Sequence, residues 1–175
     1  MYVLKPTLVE TVGQLYADKI VSASNSNLYS SIVWDVGPPV DETTLLADQL
    51  YLYKKRVEEK IRKEASVQRM NTFTAILNTD DPEQIRMYEE KYEEASAYLV
   101  LNSTPTPILD AESFHTGETV SALAALVVSQ YDSAKAQLKT QWGSIEGIRR
   151  TNITNVNAYT TIGQLEAYTG PTWTY

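Results

Sequence analysis

Two helical segments joined by a proline-interrupted connection constrain the fold of this chain more than any other feature. From Asp81 to Leu101, apolar residues recur at helical spacing on one face, and Asp81 before Pro82 is a typical helix start. A second stripe with the helical period runs through Glu118 to about Tyr159. The two stripes are Ile85, Tyr88, Tyr92, Ala95 and Leu99, and Val120, Leu123, Val127, Tyr131, Ala134, Leu138, Trp142, Ile145 and Ile148. The sequence therefore predicts an antiparallel helical hairpin over residues 79–159.

A further helix is predicted upstream, in an arm formed by residues 41–78. Asp41 to Thr44 supplies an N-cap and early acidic residues, whereas the helical signal weakens between Ser66 and Asn78. The apolar positions follow the four-three-four spacing of a short coiled-coil seam: Leu46, Leu50, Tyr53 and Val57. Because the hairpin pairs with itself, this stripe has no evident partner within the chain, and we expect it to form an interface with other copies.

Both ends of the chain combine aromatic residues with helix breakers. Residues 1–40 contain a loosely helical stretch from Leu8 and an extended stretch, Ile32 to Trp34, before Gly37-Pro38-Pro39. Residues 160–175 are predicted to form an extended tail. Amphipathic rings on segments with little core of their own suit an interface, which indicates docking through Tyr2, Trp34, Tyr168, Trp173 and Tyr175. The alternative is that both ends fold back and cover the apolar surface of the hairpin.

Composition narrows the classes of function. With 22 acidic and 15 basic residues the net charge is -7, which disfavours a nonspecific hold on nucleic-acid phosphates. The absence of cysteine excludes disulfides, thiolate zinc sites and a cysteine nucleophile. The most apolar run, Val120 to Val128, is too short to span a bilayer. We expect a mainly α fold with one modest core in a soluble protein made in a cytosol.

Candidate chemical sites are few. Asp110, Glu112 and His115 could hold a hard metal ion, but no second histidine or known ligand spacing supports such a site, so a solvated connector is preferred. The carboxylates between Glu89 and Glu94 lack the Glu-x-x-His pairs of a di-metal site and are expected to face solvent. A Ser-His-Asp triad would require His115, and no Gly-x-Ser-x-Gly elbow presents a serine. We therefore predict no catalytic, cofactor-binding or metal-binding residue and no enzymatic activity.

Two further patterns each allow two interpretations. Gly143 and Gly147 lie one turn apart, which favours either a tight helix crossing or a kinked helix, at about 1 kcal/mol per glycine relative to alanine. Asn102-Ser103-Thr104 and Asn152-Ile153-Thr154 match the glycosylation pattern. Since no secretion signal accompanies them, we expect these two matches to be due to chance.

Four motifs follow one another in order across residues 80–159. They are Met87-Tyr-Glu-Glu-Lys-Tyr-Glu-Glu-Ala95, Thr106-Pro-Ile-Leu-Asp-Ala-Glu112, Thr116-Gly-Glu-Thr-Val-Ser-Ala-Leu-Ala-Ala-Leu126 and Ile145-Glu-Gly-Ile-Arg-Arg150. The ordered set resembles the helical domain of unassigned function found in many phage tail-fibre and tail-assembly proteins. The upstream stretch Gly37 to Thr43, followed by a charged helix, is similar to what often precedes that domain. The family has no catalytic residues to carry over.

The resemblance implies a structural component of a bacteriophage tail, in a tail fibre or its attachment to the baseplate, that acts by protein–protein assembly. It implies other tail proteins as partners, a place in the virion after assembly in the host cytoplasm, and no nucleic-acid or membrane partner. Self-association as a trimer is expected because fibres are commonly trimeric, although the short heptad run does not define the number. Two alternatives stay open: a tail-fibre assembly chaperone, and a small hydrolase with His115 buried beside a nucleophile.

Overall fold

The fold is mainly α, as predicted from the sequence. The computed structural model describes residues 3–174 and is 70% helical, with six helices and one two-stranded antiparallel sheet in that range. In chain order the elements are α1 (Leu8–Leu15), β1 (Ile20–Ala23), β2 (Ile32–Val36), α2 (Glu42–Leu77), α3 (Pro82–Val100), α4 (Pro107–Thr116), α5 (Val120–Ala158) and α6 (Ile162–Glu166). None of the helices within residues 3–174 is long and apolar enough to cross a membrane.

The described residues form two compact units. One contains residues 3–66 and 146–173, and the other contains residues 67–145 with residue 174. Helices α2 and α5 therefore contribute to both units. These boundaries differ from the predicted arm at 41–78 and hairpin at 79–159, because each long helix packs against different neighbours along its length.

The first unit contains a small core built around α1. The side chain of Thr7 accepts a hydrogen bond from the Glu10 N–H, and Glu10 bonds back to the Thr7 N–H, which forms a capping box. Leu8 and Val12 on the buried face of α1 pack with Ile32, Val40 and Leu45. The predicted short helix and extended stretch of the N-terminal segment are both confirmed.

A second core of the same unit joins α2, the end of α5 and α6. Tyr53, Val57 and Ile61 on α2 pack with Val156 and Leu165. A capping box between Thr161 and Gln164 starts α6, so the C-terminal segment, expected to be extended, contains a short helix. Leu165 on this helix is 2% exposed, which shows that the tail folds onto its own unit.

The second unit contains the predicted pairing of α3 with α5. The rings of Tyr92 and Tyr131 stack at 4.0 Å, and Ala95 packs with Leu123 one turn further along, so the two helices run antiparallel. The proline-interrupted connection contains α4, and Leu109 of this helix completes the core. Gly117 ends α4 with a left-handed φ of 75°.

Helices α2 and α5 are more continuous than the sequence indicated. Despite the weak signal after Ser66, α2 extends to Leu77 and ends where Asn78 adopts a left-handed φ of 54°. Helix α5 is uninterrupted at Gly143 and Gly147. A Cβ atom added at either glycine would have no described atom within 4 Å, apart from the helix's own backbone and the glycine's chain neighbours. Within residues 3–174, α5 is therefore neither broken nor tightly crossed by another helix at these two positions.

Candidate functional site

An open groove on the second unit is a concave surface suited to binding. Its volume is about 460 Å³, which lies in the range of about 300 to 1,000 Å³ that is typical of ligand sites. Helices α2, α3 and α5 form its walls. The apolar side chains that line it include Phe73, Ile76, Leu77, Ile85, Val127 and Leu138.

Two aromatic pairs hold the walls of the groove together. On one side Tyr92 stacks on Tyr131 and donates a hydrogen bond to Asp132 Oδ1 at 3.2 Å, which joins α3 to α5. On the other side Phe73 stacks on Trp142 with ring centroids 6.3 Å apart, which joins α2 to α5. One ring of each pair, Phe73 or Tyr131, also lines the groove. Each pair therefore joins a ring that lines the groove to a ring that does not, and these contacts position the walls.

The short helix α4 braces the α3 wall from behind. Glu94 on α3 accepts the backbone N–H groups of Ile108 and Leu109 at 3.2 Å and 2.8 Å. Lys91 on α3 forms an ion pair with Glu112 on α4. These contacts tie one flank of α3 to α4, while Tyr88 and Glu89 on the same helix line the groove.

The rim of the groove carries exposed charges of opposite sign on two of its helices. Glu89 is exposed on the α3 side, and Lys135 is exposed on the α5 side with its ammonium group 5.6 Å from the Tyr131 ring centroid. Tyr88 also lines the groove, and its hydroxyl accepts a hydrogen bond from Gln84 Nε2 at 2.8 Å. Such an arrangement can hold an apolar surface and orient it by charge.

The predicted interface along the arm is largely covered by the chain itself. Tyr53 is 5% exposed and Val57 is 2% exposed, and Leu50 packs against the same core. The expectation that this stripe has no intrachain partner is therefore wrong, because the end of α5 and α6 cover it. Leu46 is 42% exposed and stays available for a contact with another molecule.

Two aromatic residues of the ends, Trp34 and Tyr168, also pack on their own unit. Trp34 is half-buried on β2, and one edge of this strand is already hydrogen-bonded to β1 within the chain. Tyr168 donates a hydrogen bond to Asn152 Oδ1 at 2.6 Å, and burial raises the pKa of its hydroxyl to about 12. Trp173 is half-buried. Tyr2 and Tyr175 lie outside the described residues.

The acidic and histidine candidates occupy the surface of the second unit. Asp110 and His115 are exposed on α4, Glu112 is paired with Lys91, and the His115 ring meets Phe114 edge-on. Among residues 3–174, no group of three histidine, cysteine or acidic side chains is placed to hold a metal ion. Exposed positions were predicted for the carboxylates of α3, and the structure confirms them for Glu89, Glu90 and Glu93, whereas Glu94 is half-buried.

Sequence reasoning missed the groove because it placed all apolar positions of the hairpin stripes in one core. Ile85 and Leu138 belong to those stripes but line the groove instead. A signal was present in the segment with weak helical character, where Phe73, Ile76 and Leu77 have helical spacing. Extending α2 through these residues would have supplied the third wall.

Comparisons with protein families, curated proteins and solved structures found no match for the chain. A functional hypothesis is therefore built on the groove, its rim charges and the ordered sequence motifs.

Proposed function

We propose that this chain is a structural component of a bacteriophage tail, in a tail fibre or in the attachment of the fibre to the baseplate. It acts by protein–protein assembly without catalysis. The observation that carries the proposal is the apolar groove of the second unit, whose walls come from three helices and whose rim is charged. The ordered motifs of residues 80–159 supply the phage context through their family resemblance.

The groove favours an assembly role because its apolar walls are open to solvent. Covering apolar surface contributes about 25 cal/mol per Å², so a partner that fills the groove gains stability from it. Trp142, whose ring stacks on groove-lining Phe73, is 39% exposed. Tryptophan is enriched among the residues that dominate binding energy at protein interfaces.

Other tail proteins are the proposed partners, with the virion tail as the final location. Self-association stays part of the proposal, and the exposed Leu46 is the residue of the predicted seam that can contribute to it. The acidic net charge of -7 argues against nucleic acid as a partner.

An assembly chaperone is the second candidate, because a chaperone could use the same groove for a temporary contact. The hydrolase alternative required a buried His115, but this side chain is exposed on α4. Location in the finished particle separates a structural component from a chaperone.

Mass spectrometry of gradient-purified virions of the phage that encodes the chain tests the proposal. A structural component is present in the particles, whereas a chaperone is found in the infected lysate only. Complementation with a Leu138→Asp variant should reduce incorporation, while the exposed control Glu93→Lys should be incorporated normally. Normal particles that lack the chain would overturn the structural role.

A further inference from the structure

We infer that the groove of the second unit binds an amphipathic helix of a partner protein, with an acidic residue of that helix beside Lys135 and a basic residue beside Glu89. The inference rests on the proposed assembly function and specifies the chemistry of the partner. Three observations support it: the length of the groove, the direction of its walls and the placement of its charges.

The groove follows a helix over several turns. Its lining positions on α5 run from Val127 through Tyr131 and Ala134 to Leu138, with the spacing of one helical face. At about 1.5 Å per residue, this face is about 17 Å long. A side chain at every third or fourth position of a bound helix would enter the groove, as in other helix-in-groove complexes.

The three walls are arranged as in a helical bundle. Tyr92 stacks on Tyr131 and Ala95 packs with Leu123, so α3 and α5 are antiparallel, and Phe73 stacks on Trp142, which joins α2 to α5. A fourth helix laid along the groove would meet apolar side chains from three helices and complete a four-helix bundle.

Charge complementarity determines the chemistry of the occupant. Lys91 also lines the groove, but its ammonium group is paired with Glu112. Glu89 is exposed on α3 and Lys135 is exposed on α5, so a bound helix meets charges of opposite sign on these two walls. A helix with one acidic and one basic flank is attracted to both charges, whereas a helix with flanks of a single sign is repelled by one of them.

Three synthetic helical peptides test the inference with the full-length protein. All carry leucines at positions i, i+4, i+7 and i+11. Their flanking residues are glutamate on one side and lysine on the other, glutamate on both sides, or lysine on both sides. Fluorescence anisotropy at low ionic strength should show the mixed peptide binding roughly two- to fivefold more tightly than either single-sign peptide, as expected for exposed ion pairs.

Charge-reversal variants make the test specific to the two rim residues. Glu89→Lys should make the all-glutamate peptide the tightest ligand, and Lys135→Glu should do the same for the all-lysine peptide. Glu93→Lys is the matched control and should keep the wild-type order. Leu138→Asp should abolish binding of all three peptides while circular dichroism shows a retained helical fold.

Several outcomes would overturn the inference. The inference is wrong if none of the three peptides binds, or if the charge-reversal variants keep the wild-type order of affinities. It is also wrong if Leu138→Asp binds the peptides as tightly as the wild type. If the protein self-associates and Leu138→Asp abolishes this self-association, the groove binds a second copy of the chain instead. The mass spectrometry of virions does not depend on the peptides, so failure of the proposed function is recognised separately.

Discussion

Glu94 on α3 caps a helix to which it does not belong, because its carboxylate accepts the backbone N–H of Leu109 at 2.8 Å. The second oxygen accepts the N–H of Ile108 at 3.2 Å. These donors are the ones that an N-cap side chain normally satisfies, and Thr106, the N-cap of α4, makes no such bond. The contact therefore links the start of α4 to the middle of α3.

Removing this cap should weaken the second unit. We expect Glu94→Ala to lower the free energy of unfolding by about 1 to 2 kcal/mol, because two half-buried helix donors lose their acceptor. Glu94→Gln should lose less, since its amide oxygen can still accept. Chemical denaturation of the variants measures the effect, and exposed Glu93→Ala is the control, expected to match the wild type. Equal stability of Glu94→Ala and Glu93→Ala would contradict the capping role.

Two leucines of the same α5 stripe should respond differently to truncation. Leu123 is 1% exposed in the core with Ala95 and Leu109, so Leu123→Ala should destabilise by about 2 to 5 kcal/mol. Leu138 is half-buried in the groove wall, and Leu138→Ala should cost only about 1 kcal/mol. Urea denaturation distinguishes the two, and similar losses would show that the groove is part of the closed core.

The C-terminal segment should contribute to stability in the isolated protein. Leu165 is packed against Tyr53 and Val57, so Leu165→Ala should cost about 2 to 5 kcal/mol. Deleting residues 160–175 should lower the melting temperature for the same reason, whereas exposed Thr172→Ala should not. An unchanged melting temperature after the deletion would favour the hypothesis that the tail serves only to dock the protein.

Stability should fall in acid partly through Glu146. Hydrogen bonds from Arg149 and then Arg150 lower the pKa of the Glu146 carboxyl from 4.5 to about 2. Because the pKa of this carboxyl is lower in the folded state than in the unfolded state, the charged group stabilises the protein at pH values above about 4.5. This stability is lost as the pH falls from about 4.5 towards 2. Glu146→Gln should therefore show a smaller drop in melting temperature over that range than the wild type. Glu93→Gln, on an exposed site, should show the wild-type drop.

The existence of most helices could be predicted from the sequence because the signals are local. Asp81 before Pro82 caps α3 as expected, and its side chain accepts the Glu83 N–H at 2.9 Å. The α3 and α5 stripes needed only the helical period to be recognised, and their antiparallel pairing was inferred from the proline-interrupted connection between them. Such features depend on residues within a few turns of one another.

Tertiary structure alone decided which surface covers each stripe. The seam through Tyr53 and Val57 has the same local pattern whether its partner is another copy or the end of the same chain. Val156 and Leu165, far along the sequence, are the residues that cover it. Likewise, Leu138 and Leu123 follow the same helical period, but only Leu123 is enclosed. Leu109 of α4 covers Leu123, whereas no described helix covers the groove that Leu138 lines. Burial depends on long-range packing that local periodicity does not encode.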